Sequence, residues 1–448
     1  MATDFTKGKI TPELIRFTVP LVLGNLFQLL YNAVDSMIVG RYVGKEALAA
    51  VGTSNPLMTL VILFINGITL GAGILIGAHY GARDYDTLRR QISTTMLGGL
   101  GFTAAVSLIF VVLARPIFTL MQVDPSILDL SVSYMRIIFC GLVFTFIYNC
   151  LASILRALGD STGPLVFLVV SSVLNVIGDL LLVVWLRMGS NGAAISTVVC
   201  EAISCVLCLI YLQKRVPLLR LGKGWLVFDK SLFGATVAYG WTSAMQQATV
   251  QLGKICIQSI VNTMGVSVMA AFTIVNRMDD FAMVPQQNIG HAMTSFMAIN
   301  RGAKKPERVK EGFRKGMGIE LAYGLIIFLI CFIFARPIVG LSTQDPLVIE
   351  HGVKYLHLIS FMYFLPAVTN GVQGFFRGMG DLRITLISSM TNMGVRVAAA
   401  LILVFLMHLE MEALPLSYLA GWIGMLLVEL PLLRRTLSSG EMALGDGA

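Results

Sequence analysis

Twelve long apolar blocks are the sequence feature that most limits how this chain can fold. An α-helix needs about 20 mostly apolar residues to cross a hydrocarbon core about 30 Å thick, and the blocks have that length. Only 13% of the 448 residues are charged, whereas soluble domains average about 25%. A transmembrane β-barrel would instead show alternating segments of about ten residues. The sequence therefore predicts an all-α membrane protein with twelve transmembrane helices.

The predicted spans are residues 14–38, 47–78, 91–113, 124–155, 163–185, 192–212, 232–261, 268–299, 317–334, 347–376, 384–406 and 413–433.

The basic residues are distributed unevenly between the two sides of the predicted membrane. Loops on the side of the N-terminus contain 23 Lys and Arg residues, and loops on the other side contain 5. Because cytoplasmic loops carry an excess of positive charge, we expect a multi-pass protein of the cytoplasmic (inner) membrane with both termini in the cytoplasm. These loops account for the net charge of +8, so no nucleic-acid partner is needed to explain it.

The chain is also similar to itself when it is shifted by 221 residues. The segment from 114 to 160 matches the segment from 335 to 381 at 14 of 47 positions without a gap. This repeat predicts two six-helix lobes, at 10–212 and 231–436, joined by a cytoplasmic linker at 213–230. Since six helices return the chain to the same side, a pseudo-two-fold axis along the membrane normal should relate the lobes. The cleft between such lobes is the default substrate site.

Polar residues inside the predicted helices of the first lobe fall on helical stripes. The stripes are Asn25, Gln28, Asn32 and Asp35; Ser172, Asn175 and Asp179; and Thr197, Glu201 and Ser204. Ionisable groups in a membrane are costly and are functional candidates. Two aspartates that share a site of low dielectric bind a proton or a cation between them, which describes an ion-coupling site. The alternative is that these groups only hold the helices together by hydrogen bonds.

The second lobe has lost this pattern and has a different one. At the offset of 221, Asp35 corresponds to Cys256, Asn175 to Arg396 and Asp179 to Ala400. The polar residues of the seventh and eighth predicted helices are Gln247, Gln251, Lys254 and Gln258, and Asn276, Asp280, Gln287 and His291. Two interpretations remain open: an ion-pair network of Lys254 with Asp279 or Asp280, or a substrate cavity lined by glutamine and methionine.

Several motifs together resemble the multidrug and toxic compound extrusion (MATE) family. They are the first-helix aspartate followed by VGRYVGKEALAAVG, then NVIGD at 175–179, NGAAISTVV at 191–199, and the pair RALGD and RGMGD at 156–160 and 377–381. The similarity covers about 14 to 435. It implies an antiporter that exports cationic or amphipathic compounds, such as drugs, in exchange for protons or sodium. We expect a monomer in the lipid bilayer, with no cofactor beyond the coupling ion.

The similarity also implies roles for individual residues. In the DinF-like branch, which this chain resembles more, the cation-coupling residues would be Asp35, Asn175, Asp179 and Thr197, with Tyr31 and Asn149 beside them; the same four would ligate Na⁺. The second-lobe acids of the NorM-like branch are replaced by Gln246 or Gln247 and by Asn370. The predicted substrate cavity comprises Gln28, Asn32, Gln247, Gln251, Asn276, Asp280 and Asn370. Family members also tend to bend the first helix, for which Pro20 is available.

Three other classes of protein are less compatible with the sequence. A flippase for a lipid-linked sugar predicts a basic cavity, but the balance in the predicted membrane interior is acidic: Asp35, Asp179, Glu201, Asp279, Asp280 and Glu320 against Lys254, Arg277 and Arg396. A membrane-embedded enzyme needs a nucleophile with a base or a metal cluster, and neither pattern is present. No segment resembles an ion-channel filter. The seven cysteines lie in apolar blocks and predict no disulfide framework.

Overall fold

A computed structural model describes residues 4–216 and 226–438, and this part of the chain is helical with no β-strand. The helices are α1 (Ile10–Tyr42), α2 (Lys45–Ala82), α3 (Tyr85–Leu120), α4 (Pro125–Ala157), α5 (Thr162–Asp179), α6 (Gly189–Arg215), α7 (Lys230–Val261), α8 (Val266–Gly302), α9 (Pro306–Ile333), α10 (Ala335–Gly340), α11 (Pro346–Ser360), α12 (Phe364–Met379), α13 (Leu382–Leu401) and α14 (Ala413–Ser438). Two short π-helices, Leu180–Trp185 and Ile402–Leu406, continue α5 and α13.

All twelve predicted blocks coincide with helices, although the boundaries differ. Among the described residues, nine helices are long and apolar enough to cross a membrane by themselves. The helices α7 and α8 have 32 and 37 residues but contain more polar side chains. The tenth block, 347–376, is two helices, α11 and α12, rather than one, because the backbone breaks at 361–363 within an apolar stretch. Pro366, in the first turn of α12, is the sequence signal for that break, because proline has no backbone N–H to continue the preceding helix.

Aspartates and prolines begin several of these helices. Asp124 and Asp345 each accept a hydrogen bond from a backbone N–H of the first turn, at 2.8 and 2.9 Å, and a proline follows each of them. This is the arrangement that satisfies the first unpaired N–H groups of a helix. Asp84 begins α3 in the same way, and its hydrogen bonding with Thr87 lowers the pKa of the Asp84 carboxyl.

The backbone repeats the offset of 221 that the sequence shows. Left-handed φ angles recur in four pairs: Gly44 and Gly265, Arg83 and Lys304, Gly159 and Gly380, and Arg187 and His408. The π-helix that begins at Leu180 has its counterpart at Ile402, within one residue of the offset. Turns and helix irregularities are therefore preserved even where the side chains differ.

The chain divides into two compact units. The first unit is Val19–Ala244; the described part of the second is 4–18 together with 245–438. The core of the first unit gathers apolar side chains of α2, α3, α4 and α6 around Phe139 and Phe146, and that of the second surrounds Tyr355 and Tyr363. The predicted lobe boundaries stay a prediction. Residues 217–225 of the predicted linker lie outside the described residues, and Asp229, after them, pairs with Arg90 of α3.

The segment before α1 is part of the second unit rather than a polar tail. The ring of Phe5 is buried against Phe17 and Phe296, with ring centroids 5.0 and 5.3 Å apart. Asn300 Nδ2 and Arg308 Nε donate hydrogen bonds to the carbonyl oxygen of Phe5, at 3.1 and 2.7 Å. A single aromatic residue among polar neighbours therefore fixes this segment, and its burial was not expected from composition.

Helices α8 and α12 pack backbone to backbone in the second unit. A Cβ atom at Gly374 would lie 2.6 Å from the carbonyl oxygen of Gly290, and one at Gly378 would lie 2.3 Å from Cβ of Met297. Two glycines four residues apart allow this close approach, as is common between membrane helices.

We predict that Gly374→Ala destabilises the protein by about 1–3 kcal/mol, because the added methyl group must push the two helices apart. Gly394→Ala is the matched control, since nothing lies within 4 Å of a Cβ atom there. Thermal unfolding of both variants in detergent checks this prediction. Equal unfolding temperatures for the two variants would contradict the proposed close packing.

Candidate ion-coupling site

Asp179 lies at the junction of α5 with the π-helix that follows it, and its carboxyl group is fully buried. Asn175 is one helical turn earlier on the same face and is also buried. Because side chains four residues apart share one face of a helix, α5 presents an amide and a carboxyl group together. A π-turn often marks a functional position in a helix.

Two hydroxyl groups of α6 orient the Asn175 side chain. Asn175 Nδ2 donates to Ser196 Oγ at 3.2 Å and to Thr197 Oγ1 at 3.3 Å, and Ser196 Oγ donates back to the Asn175 carbonyl oxygen at 3.0 Å. Thr197 Oγ1 donates to the carbonyl oxygen of Ala193 at 3.0 Å. Both amide protons of Asn175 are thereby used, and Asn175 Oδ1 is left buried without a partner.

Helix α1 brings Asp35 against Asp179. The two carboxyl groups are close enough to affect one another, but ionised carboxylates only accept hydrogen bonds. Accordingly both carboxylate oxygens of Asp179, and Oδ1 of Asp35, are buried without a donor. This contact needs a proton on one of the groups or a cation between them.

The site therefore offers oxygen atoms only: two carboxyl groups, one amide oxygen and the Thr197 hydroxyl. Hard cations prefer oxygen ligands. In the described part of the chain, no group of three or more His, Cys, Asp or Glu side chains is placed to hold a metal ion. A proton or a weakly held alkali cation such as Na⁺ fits these groups.

The other residues predicted near the site lie around it. Tyr31 lies close to Asp35 and to Glu201. Glu201 accepts a hydrogen bond from Thr145 Oγ1. Asn149 instead donates to the carbonyl oxygen of Thr145 at 2.8 Å, within its own helix. The structure thus gathers Asp35, Asn175, Asp179 and Thr197 and gives Asn149 a local hydrogen bond.

The predicted cavity residues are scattered over both units. Gln28 and Asn32 are exposed on α1, and Gln247, Gln251, Asn276 and Asn370 are partly buried.

Lys254 Nζ lies 3.3 Å from Asp280 Oδ1, with side chains 44% and 62% exposed. The ion pair considered for this lobe is thus present with Asp280. An exposed pair contributes little to stability.

Sequence reasoning missed several buried polar residues. Ser196 lies one position before the α6 stripe, so helical spacing alone did not select it. The count of ionisable groups omitted Glu429 of α14 and Arg377 of α12, both buried. That count is therefore corrected to include one more acid and one more base. A lone charge inside an apolar block was the available signal for Glu429.

The fold and this site define a multi-span membrane transporter, and comparisons with known proteins identify its family. The MatE family model matches residues 20–181 and 243–402. The chain is 30% identical over 437 residues to the probable multidrug resistance protein YoeA of Bacillus subtilis (strain 168), with 94% of each chain covered. The chain belongs to the MatE family. Family membership confirms the expectation of a transporter rather than an enzyme.

Solved structures agree with this assignment at the level of the fold. A crystal structure of MATE in the bent conformation superposes with a TM-score of 0.92 at 21% identity, covering 98% of this chain and 99% of that chain. A MOP superfamily transporter from Pyrococcus furiosus gives a TM-score of 0.88 at 20% identity, covering 98% and 99%. These likenesses confirm the all-α fold of twelve transmembrane helices in two six-helix lobes. The pseudo-two-fold axis and the DinF-like branch stay predictions.

We predict that Asp179→Asn does not lower the free energy of unfolding and raises it by about 1–3 kcal/mol, because the unpartnered buried carboxylate is removed. Asp160→Asn is the matched comparison. The Asp160 carboxylate accepts hydrogen bonds from the N–H groups of Thr162 and Gly163 and from the Tyr211 hydroxyl, at 3.1, 3.0 and 2.7 Å. That variant should lose about 1–3 kcal/mol.

Thermal unfolding in detergent measures both effects. If Asp179→Asn destabilised the protein as much as Asp160→Asn, Asp179 would be a structural residue like Asp160, and the site interpretation would fail.

Proposed function

We propose that this protein exports cationic or amphipathic compounds, such as drugs, by alternating access in exchange for H⁺ or Na⁺ moving inward. The observation that carries the proposal is the pair of Asp35 and Asp179 in a transporter of the MatE family: both carboxylate oxygens of Asp179 and Oδ1 of Asp35 are buried without a hydrogen-bond partner. Coupling needs a group whose charge changes when the ion binds, and this pair provides one. YoeA is described as a probable multidrug resistance protein, which agrees with the proposed class of substrate.

Competition for these carboxyl groups would couple the two fluxes. A bound proton or sodium ion removes one of the two negative charges of the pair and lowers the affinity of the first unit for a cationic compound. Release of the ion restores the negative charge and the affinity. Each ligand then shifts the protein towards the state that it binds better, and the effect is reciprocal. No contact between drug and ion is required.

The ion gradient supplies the driving force if the termini lie in the cytoplasm, as the distribution of basic residues predicts. One positive charge moving inward at 100 mV contributes about 2.3 kcal/mol. The coupling ion is held at Asp35, Asn175, Asp179 and Thr197, all of which lie in the first unit. A single such site supports one ion-binding step in that unit.

A flippase for a lipid-linked sugar is the competing function within this fold. For the Pyrococcus furiosus transporter, reverse polarity of the binding pocket suggests a different function. Pocket charge is therefore a property that can separate functions on this fold. The unpartnered carboxyls of this chain favour a cationic cargo over an anionic pyrophosphate.

We predict that Asp35→Asn reduces gradient-driven efflux of ethidium, a fluorescent organic cation, to the level of liposomes without protein. The amide that replaces the carboxyl cannot exchange a proton, and it lacks the negative charge that attracts Na⁺. Purified protein in proteoliposomes, under a proton or a sodium gradient imposed in separate experiments, gives the rate and identifies the coupling ion.

Asp86→Asn is the matched control, because Asp86 is an exposed aspartate in the first turn of α3. It should transport at the wild-type rate. Full gradient-driven efflux by Asp35→Asn would overturn the proposed coupling.

A further inference from the structure

Three helices of the second unit bring two glutamates towards one arginine. Glu320 of α9 and Glu429 of α14 are fully buried, and Arg377 of α12 is 6% exposed. The Arg377 guanidinium is close enough to attract the carboxyl groups of both Glu320 and Glu429. The polar side chains of Ser388 and Gln373 also lie beside Glu429. The proposed coupling site does not use any of these residues.

Neither carboxyl group accepts a hydrogen bond of normal geometry, although Ser388 and Gln373 lie beside Glu429. All four carboxylate oxygens of Glu320 and Glu429 are buried with no hydrogen-bond partner. Arg377 directs its Nε instead to the carbonyl oxygen of Gln373, at 3.3 Å. The neighbouring amide of Gln373 is also engaged elsewhere, since it donates to Ser388 Oγ and Ser389 Oγ at 3.4 and 3.2 Å. The helices thus hold two acids in a space that supplies too few donors for two anions.

The charges of the cluster do not balance when both acids are ionised. Two carboxylates and one guanidinium leave one net negative charge in the interior, and an unpaired buried charge costs several kcal/mol. One proton restores neutrality. A metal cation is a poor alternative because the guanidinium would repel it. Glu320 is the acid that takes the proton in this arrangement, because Glu429 has the polar side chains of α12 and α13 beside it.

The first unit shows what this place looks like without the acids. At the offset of 221, Arg377 corresponds to Arg156, Glu320 to Gly99 and Glu429 to Cys208. Cys208 lies near Arg156, as Glu429 lies near Arg377. Phe146 fills the space beside Gly99, where a Cβ atom would lie 1.9 Å from the ring. The arginine therefore occurs at this position of both units, whereas the two acids are found only in the second.

We propose that Glu320 and Glu429, together with Arg377, form a second proton-binding site that holds one exchangeable proton in the second unit. The site goes beyond the proposed coupling pair and does not depend on it. Other groups that face the cluster are the Tyr323 hydroxyl of α9, which donates to the Ala282 carbonyl oxygen at 3.1 Å, and the backbone of Gly290 in α8. Loss of the proton leaves an unpaired charge among α9, α12 and α14, so the packing of these helices depends on proton binding.

The test is an infrared titration of the purified full-length protein in lipid bilayers, which detects the C=O stretch of protonated carboxyl groups. As the pH is raised from about 5 to about 9, a range in which buried glutamates titrate, the part of the wild-type signal that disappears should include one contribution from this cluster and one from the coupling pair. Glu320→Gln should remove the first contribution, and Asp35→Asn should remove the second. Glu350→Gln is the matched control, because Glu350 is an exposed glutamate of α11 in the same unit, and it should leave both contributions.

Two results would overturn the second site. If Glu320→Gln and Glu429→Gln both kept the whole signal, the cluster would hold no proton. If the part that Glu320→Gln removes were constant across the pH range in the wild type, the proton would be structural and not exchangeable. The Asp35→Asn measurement is independent of both results, so a failure of the coupling pair and a failure of this cluster can be distinguished.

Discussion

The cost of an ionised group in hydrocarbon governs where this protein places its polar side chains. At the middle of a membrane helix that cost is at least about 2.5–3.5 kcal/mol per residue on insertion scales. A charge that remains there must be paired, hydrogen-bonded or able to take up an ion. Asp160, outside the helices, has three donors, whereas Asp179 has none. The contrast separates an aspartate that stabilises the fold from one that is available for exchange.

The duplicated backbone also shows that the polar groups are placed independently of the scaffold. The two halves share left-handed turns and π-helices at one offset, so the scaffold has been kept while the polar groups have diverged. Where the first half has Asn175, the second has Arg396, whose guanidinium carbon lies 3.0 Å from the ring centroid of Tyr418. The second half therefore has a permanent cation, Arg396, at the position that corresponds to Asn175 of the proposed ion site. Only the first half retains a place for an exchangeable cation there.

Helical spacing predicted most of the candidate site and little of its surroundings. Asn175 and Asp179 could be paired from sequence because residues four apart share a helix face. Their contact with Asp35 followed from the rule that buried charges converge, and the structure places them together. The contact of Ser196 with Asn175 could not be predicted. Helical spacing selected its neighbour Thr197, and spacing alone does not show that two adjacent residues of α6 both reach Asn175. The burial of Phe5 depends on tertiary packing, for which local composition gives no signal.

The two buried acid sites differ in a way that bears on how a transporter of this kind can couple ions. In the proposed coupling pair, Asp35 and Asp179 have hydroxyl and amide groups beside them, so either a proton or Na⁺ would reduce the negative charge. Glu320 and Glu429 share a guanidinium, which repels metal cations and leaves only the proton. The guanidinium of Arg377 beside the second pair therefore accounts for the proposed difference in ion selectivity. With both proposed sites, the second unit would respond to pH even when the first unit is occupied by sodium.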